Sequence, residues 1–348
     1  MKRIALLLSF ACAACARSGS TTPTTRVTQS RPSDVRQVPS GLAVSGVFDF
    51  TETRPSSVTS FQTWFILHAG ADGVDRIERG RGEGNIIPLA RNIDGEGAGF
   101  FFDRGAAALF RGSPTKVTAI ALPCSKAFPP MGVVSGTSFL LAFAGCDTDP
   151  GTRLLFIGPD QATAAQASLG EAAPSLLTSN ELNVALYTAA KQGAEVRIFT
   201  ANGELRRLYQ RGDEAPPTLA ALALDSRLYA TVPIGDTLAL RTTDDAGIET
   251  TIATLAGDRA PVALATSTSG GVFVLTRQKH AVHFAKDGAV TADFVIEDGG
   301  AAKPLAFSVR IDGTLDVAGT LDERTIVTWT VDKTGAVTAR REIDLFAE

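Results

Sequence analysis

Three histidines, His68, His280 and His283, are all that the 348-residue chain offers for imidazole acid–base or ligand chemistry. His280 and His283 flank Ala281-Val282, and residues three apart on an extended strand point to opposite faces. They make no ready metal pair and, like His68, are read as core or surface side chains. Asn92-Ile93-Asp94-Gly95-Glu96-Gly97, with Asp103 in the twelfth place, spaces oxygen ligands as a calcium loop does. No serine sits in a G-x-S-x-G elbow, and no glycine-rich phosphate loop lies between a strand and a helix. The remaining polar chemistry is charge gathered in short loops: Asp147 and Asp149, Arg211, Asp213 and Glu214, Asp236, Asp258 and Arg259, Arg277 and Lys279, Asp298, and Asp322, Glu323 and Arg324. Such groups form a candidate binding face if a rigid scaffold brings the loops together.

A repeat supplies the scaffold. Prolines recur at Pro88, Pro130, Pro174, Pro217, Pro261 and Pro304, spaced by 42, 44, 43, 44 and 43 residues. Each of the last four leads a short apolar run, a polar or glycine turn and a second apolar run. A further turn follows at Asn202-Gly203, Ala246-Gly247, Asp287-Gly288 and Thr334-Gly335, and then a β-rich stretch such as AVTADFVI or AVTARREI. Alternating segments joined by glycine turns are hairpins, so each unit is about four antiparallel strands. Asp94-Gly95 falls at the turn held elsewhere by Ser135-Gly136, Ser179-Asn180, Asp225-Ser226 and Asp312-Gly313, so turn chemistry accounts for the calcium-like spacing.

Six proline-led units and residues 41–87 make seven units of four strands, which resembles the β-propeller family in period and strand count. The resemblance is architectural, because the WD and Gly-His signatures of WD40 blades and the Gly-Gly doublets of kelch blades are absent. It implies an all-β, seven-bladed propeller of four-stranded antiparallel blades over residues 41–348. A solenoid or a pair of β-sandwiches is the structural alternative. In a propeller, Cys124 lies in the connection between two blades and Cys146 in the loop between the second and third strands of the later one. Both loops open on one face, so the expectation is a Cys124–Cys146 disulfide, with two buried thiols as the alternative.

The amino terminus carries an address. Met1-Lys2-Arg3 precedes the apolar Ile4–Ala11 stretch, which is too short for a permanent span, so residues 1–14 read as a signal peptide. Cys12-Ala13-Ala14-Cys15 resembles a bacterial lipobox, with Cys12 in the place usually held by leucine, and implies lipidation at Cys15 and an outer-membrane anchor. Ordinary cleavage after Ala14-Cys15-Ala16, giving a soluble periplasmic or secreted chain, is the alternative. Residues 15–40 are Ser, Thr, Pro and Arg with little that is apolar, and are expected to form a flexible tether. Four arginines against Asp34 make that segment basic, which leaves residues 41–348 the acidic part of a chain with net charge −4.

That charge excludes a basic footprint for nucleic acid. The inner strands read LLTS, LAALAL, VALATS and LAFSVRI, with little beyond Arg91 and Arg310 to carry catalysis, and no cofactor or metal is expected. The expected function is a non-enzymatic envelope lipoprotein whose propeller binds a protein or envelope polymer. The alternative is a periplasmic propeller hydrolase or lyase acting on a sugar or lactone.

Overall fold

The structure, a computed structural model, describes residues 24–38, 41–54, 57–70, 73, 75–79, 85–89, 98–103, 106–111, 117–119, 131–136, 138–143, 151–158, 163–170, 173–190, 193–211, 215–256 and 260–347. The first sheet holds β1 (Thr24–Val38), β2 (Gly41–Arg54), β3 (Ser57–Gly70) and β4 (Asp75–Arg79). Then come β5 (Asn85–Leu89), β6 (Ala98–Asp103), β7 (Ala106–Arg111) and β8 (Val117–Ala119), followed by β9 (Met131–Ser135), β10 (Ser138–Phe143), β11 (Arg153–Ile157) and β12 (Thr163–Ser168). The next two sheets are β13 (Ala173–Ser179), β14 (Asn183–Ala190), β15 (Gly193–Thr200) and β16 (Leu205–Arg211), then β17 (Leu219–Leu222), β18 (Leu228–Ile234), β19 (Thr237–Thr243) and β20 (Glu249–Ala256). The chain ends in β21 (Pro261–Thr266), β22 (Val272–Thr276), β23 (His280–Phe284) and β24 (Val290–Val295), and β25 (Lys303–Val309), β26 (Leu315–Thr320), β27 (Thr325–Val331) and β28 (Val337–Asp344).

Within each sheet the strands pair antiparallel in chain order. From β5 onward the first strand of each sheet packs beside the first strand of the next. β25 meets β1, and β5 meets β2 and β3. The protein is therefore an all-β propeller of four-stranded blades, each buried between its neighbours. Its core is a series of interfaces: Phe273, Leu275 and Ile296 pack with Leu315, Val317 and Trp329 between the last two blades. Leu222 and Leu228 pack with Tyr187 and Ile198 further back.

The periodic prolines mark the innermost strands. Pro174, Pro261 and Pro304 lie in β13, β21 and β25, and the register with the second strand slips immediately after each. An innermost strand has one free edge, where the missing proline N–H removes no ladder bond, and the bulge absorbs the local twist. Those strands are only half-buried because one side lines the axis.

One boundary differs from the sequence reading. Residues 24–38, assigned to the tether, are β1, the innermost strand of the first blade, paired with β2 from Thr24 opposite Thr53 to Val38 opposite Gly41. Register shifts at Val27/Gln29 and Pro32/Asp34 let the polar sequence follow the blade, while Ser30, Pro32 and Val35 are buried. Packing against β25 and β26 supplies the burial that composition alone does not announce. β1, β2 and β3 are also 14–15 residues long. β4 pairs with β3 only over Phe65–Ala69, and residues 57–60 are exposed, so this hairpin runs on past the blade toward the β2–β3 turn.

Candidate functional site

The innermost strands converge on an axial cavity of about 720 Å³, open at the end where first strands turn into second strands. The turns are built by side-chain caps. Asn180 Oδ1 accepts from the Leu182 and Asn183 amides at 2.8 and 2.7 Å, Asp225 Oδ1 from the Arg227 amide at 3.1 Å, and Asp312 Oδ1 from the Thr314 amide at 3.0 Å. Adjacent turns then bond one repeat apart. Asn180 Nδ2 donates to the Ala223 carbonyl at 2.6 Å and Thr268 Oγ1 to the Ile311 carbonyl at 3.4 Å. The residues at the turn tips, Glu181, Leu224, Thr268 and Ile311, ring the mouth.

The wall is charged. Arg310 donates through Nε and Nη2 to the two oxygens of fully buried Asp316 at 2.7 and 2.6 Å, and Thr330 Oγ1 adds a bond at 3.3 Å. Asp316 holds the guanidinium above its usual value. The amide and hydroxyl of Thr314 hold the Asp312 carboxyl below the usual range, so it stays ionised. Asp34 of β1 lines the same cavity. Arg310 adds its charge to the effects that keep Asp312 ionised, and Glu181 is the further carboxylate at the described turn tips. Among the described residues no cluster of three or more His, Cys, Asp or Glu is placed to hold a metal.

Those of the residues nominated from the sequence that the structure describes do not gather here. Cys15, Cys124, Cys146, Asp147, Asp149, Asp213, Glu214, Asp258 and Arg259 lie outside the described residues, as does the 92–97 stretch. Arg211 is not part of an exposed face. Its side chain is 3% exposed, pairs with Glu249 at 2.5 Å, and sits 6.0 Å over the Tyr187 ring, tying one blade to the next. Burial raises the Tyr187 hydroxyl well above its ordinary value. Arg277 is exposed in the β22–β23 turn. Asp322 caps the β26–β27 turn through the Arg324 and Thr325 amides at 2.8 and 2.7 Å, which holds its carboxyl below the usual carboxylate range, and Arg324 pairs with Asp344 at 3.1 Å. These turns lie at the end of the propeller opposite the axial mouth. His283 is buried with its ring centroid 4.5 Å from that of Phe273, and burial pushes its pKa down; His280 pairs with Asp293.

Two of the loop charges, Lys279 and Asp298, meet in a buried polar cluster at the β24–β25 connection and are not part of an exposed face. Asp298, with its side chain 2% exposed, pairs with Lys279 and accepts from Trp329 Nε1 at 2.8 Å and the Gly300 amide at 3.2 Å. Burial alone would raise its pKa, but the Lys279 hydrogen bond and the Gly300 amide outweigh burial and hold it low. The sequence signal was the turn Glu297-Asp298-Gly299-Gly300; the partners come from other strands.

No protein-family model matches the chain, and no curated protein matches it. Among solved structures it is similar to the Dos1 propeller, with 8% identity and a TM-score of 0.56 over 90% of this chain and 95% of that one. It is similar also to a virginiamycin B lyase from Staphylococcus aureus solved with quinupristin, with 14% identity and a TM-score of 0.51 over 86% of this chain and 97% of that one. At those identities the likeness shows a shared propeller scaffold.

Proposed function

We propose that the protein is a seven-bladed propeller, lipidated at Cys15, that serves at the outer membrane as a binding platform for a protein or envelope-polymer partner. The observation that carries this reading is the commitment of the cavity's charged groups. Arg310 is locked to buried Asp316 and Asp312 to its turn, so they build and charge a wall in place of transferring protons. The anchor fixes a direction. β1 starts beside the β2–β3 turn, nine residues after Cys15, a reach of at most about 30 Å. The end carrying Arg277, Asp322 and Arg324 therefore faces the envelope surface, and the axial mouth faces away. Cys124 and Cys146 are proposed to be bridged in the loops at the anchored end.

Crosslinking and pull-down from native membranes tests the platform, with Asp322→Lys and Arg324→Glu as the control for the anchored end. A recovered partner is expected, and repeated recovery of none overturns the reading. Mass analysis of the mature amino terminus tests lipidation. The cavity volume also admits a small sugar or lactone, and the hydrolase or lyase reading is tested by turnover of such substrates with Asp312→Asn as the control.

A further inference from the structure

We infer that His283 is a proton-operated latch on the β21–β22 turn: the neutral imidazole holds this turn at the axial mouth, and the protonated one releases it. The turn, residues 267–271, brings Thr268 to the mouth just after Thr266 in the cavity wall. Its backbone repeats the turns of the adjacent blades, with the Gly270 amide donating to the Ser267 carbonyl as Ser226 does to Ala223 and Gly313 to Arg310. The side-chain cap differs. Asp225 and Asp312 accept from the amide two residues on at 3.1 and 3.0 Å, whereas Ser269 in that place bonds the Ser267 hydroxyl at 2.8 Å. The hold comes instead from the next hairpin. His283 Nε2 lies 3.1 Å from the Gly270 carbonyl, and Nδ1 meets the Thr291 hydroxyl. A carbonyl only accepts, so Nε2 carries the proton and Nδ1 accepts from Thr291.

The ring is enclosed by Phe273 and by the turn, where a methyl group on Gly271 would stand 2.9 Å from Nε2. Among the described residues no carboxylate pairs with it. On its own hairpin, His280 and Asp293 pair with each other, and Asp287 caps the β23–β24 turn through the Ala289 amide at 3.0 Å. Toward the preceding blade, the Lys286 stem crosses Gly270 and its ammonium pairs with Asp225 at 2.6 Å, beside Arg227, while Tyr229 next to Gly271 is kept neutral by burial. Toward the last blade, Leu315, Val317 and Val331 pack with Phe273, Arg310 is engaged by Asp316, and Asp312 is tied to its own turn. An imidazolium here is an unpaired buried charge, and burial pushes the ring's pKa down against the Gly270 bond, which supports the charged form. Above the ordinary histidine pKa the ring is neutral and the turn stays closed. As pH falls below it, the open turn, with the ring in water, gains the proton and is favoured. Ladders hold β22 and β24 to β23, so the turn is the part of the enclosure that yields.

The test is hydrogen exchange of the Ser267 and Gly270 amides in the whole protein at pH 7 and pH 5, expressed as protection corrected for the intrinsic rate at each pH. Their protection is expected to fall about tenfold in acid and to stay insensitive to low urea, as local opening does. The equivalent turns at Ala223–Leu228 and Arg310–Leu315, which do not cover the ring, should change less than about twofold. His283→Gln keeps a donor and an acceptor without a charge and should abolish the pH dependence. Ser269→Asp, at an exposed position, supplies the cap that Asp225 and Asp312 provide and should restore protection at pH 5 with His283 in place. Equal protection of the turn at both pH values, an equal fall in the other two turns, or exchange that rises with urea as global unfolding does overturns the inference. So does a fall that survives in His283→Gln, or indifference to Ser269→Asp.

Discussion

Replacing Asp298 by alanine should be among the most damaging single changes in the last two blades. The carboxylate is almost wholly enclosed, pairs with a Lys279 ammonium that is 16% exposed, and accepts from the Trp329 indole at 2.8 Å and the Gly300 amide at 3.2 Å. Removing it orphans a buried indole N–H, which costs about 1–3 kcal/mol. It also strips the counter-ion from a buried ammonium, for which broken pairs cost about 3–5 kcal/mol. The two penalties share the same carboxylate and do not add in full. Lys279 keeps its bond to the Gly300 carbonyl at 2.6 Å and some contact with water, so a net loss of about 3 kcal/mol is expected. Asparagine retains an acceptor for Trp329 and should cost about half as much. Urea unfolding at pH 7 measures both, and a Lys279→Met cycle isolates the ion pair. Because the folded carboxyl is held low, its contribution is present above the ordinary carboxylate pKa and is lost as pH falls through the folded value, so wild type and Asp298→Ala should converge in acid. A loss below about 1 kcal/mol for alanine, or equal losses for alanine and asparagine, would refute the reasoning.

Three further outcomes follow from the same kind of contact. His283 is buried in its neutral form, so protonation favours the unfolded chain; stability should fall as pH drops below the ordinary histidine pKa, and His283→Gln should flatten that slope in calorimetric melts from pH 7.5 to 5. A methyl group at Gly319 would stand 2.1 Å from the Lys303 carbonyl oxygen and 2.9 Å from the Trp329 ring, so Gly319→Ala should cost about 1–3 kcal/mol by thermal melt, while Gly158→Ala, with open space around it, should stay within about 0.5 kcal/mol. Arg341→Ala removes donors to the Gly70 and Gly73 carbonyls at 2.8 and 3.0 Å and an ion pair to Asp75 at 2.7 Å; hydrogen exchange should accelerate in β1–β4 and β28 before it does so elsewhere.

The blade pattern was legible because its determinants are local. A proline at the head of an innermost strand, glycine turns and alternating apolar residues all act within a few positions, and β13, β21 and β25 carry Pro174, Pro261 and Pro304 as that pattern requires. Residues 24–38 were misread because their burial comes from the other end of the chain. Ser30 donates to the Glu323 carbonyl, and Val35 packs among Ala306, Ala318 and Ile343. Nothing in a run of Ser, Thr and Arg announces partners nearly 300 residues away. Arg211 was misread for a related reason. A charge near the end of a strand suggests solvent, yet Glu249 in the next repeat neutralises it and Tyr187 covers it. The axial mouth fell between these cases: Arg310 was visible as a lone charge in an inner strand, but its engagement by Asp316 six residues later depends on the hairpin fold.

Closure of the ring shows how a repeat handles its own ends. Six residues after a turn glycine, the outer strands carry Tyr209, Phe294 and Arg341. Tyr209 abuts Gly247 of the following blade and Phe294 abuts Gly335, positions where the turn needs a positive φ and a side chain would strike the ring. Arg341 stands in the same place on β28 and reaches Gly73, the corresponding turn glycine of the first blade, through its carbonyl. The last blade therefore treats the first as its next neighbour. Among the described residues the strands of each blade come from one continuous stretch of chain and no exchanged strand holds the ends together; the seam rests on β1 packing beside β25, on the apolar cluster around Val35 and Ile343, and on Arg341. Apolar contact alone is non-directional, and the two ends of the chain gain register from directional bonds. An arginine bonded to two carbonyls and a carboxylate provides that in the place where two of the interior blades use the ring of Tyr209 or Phe294.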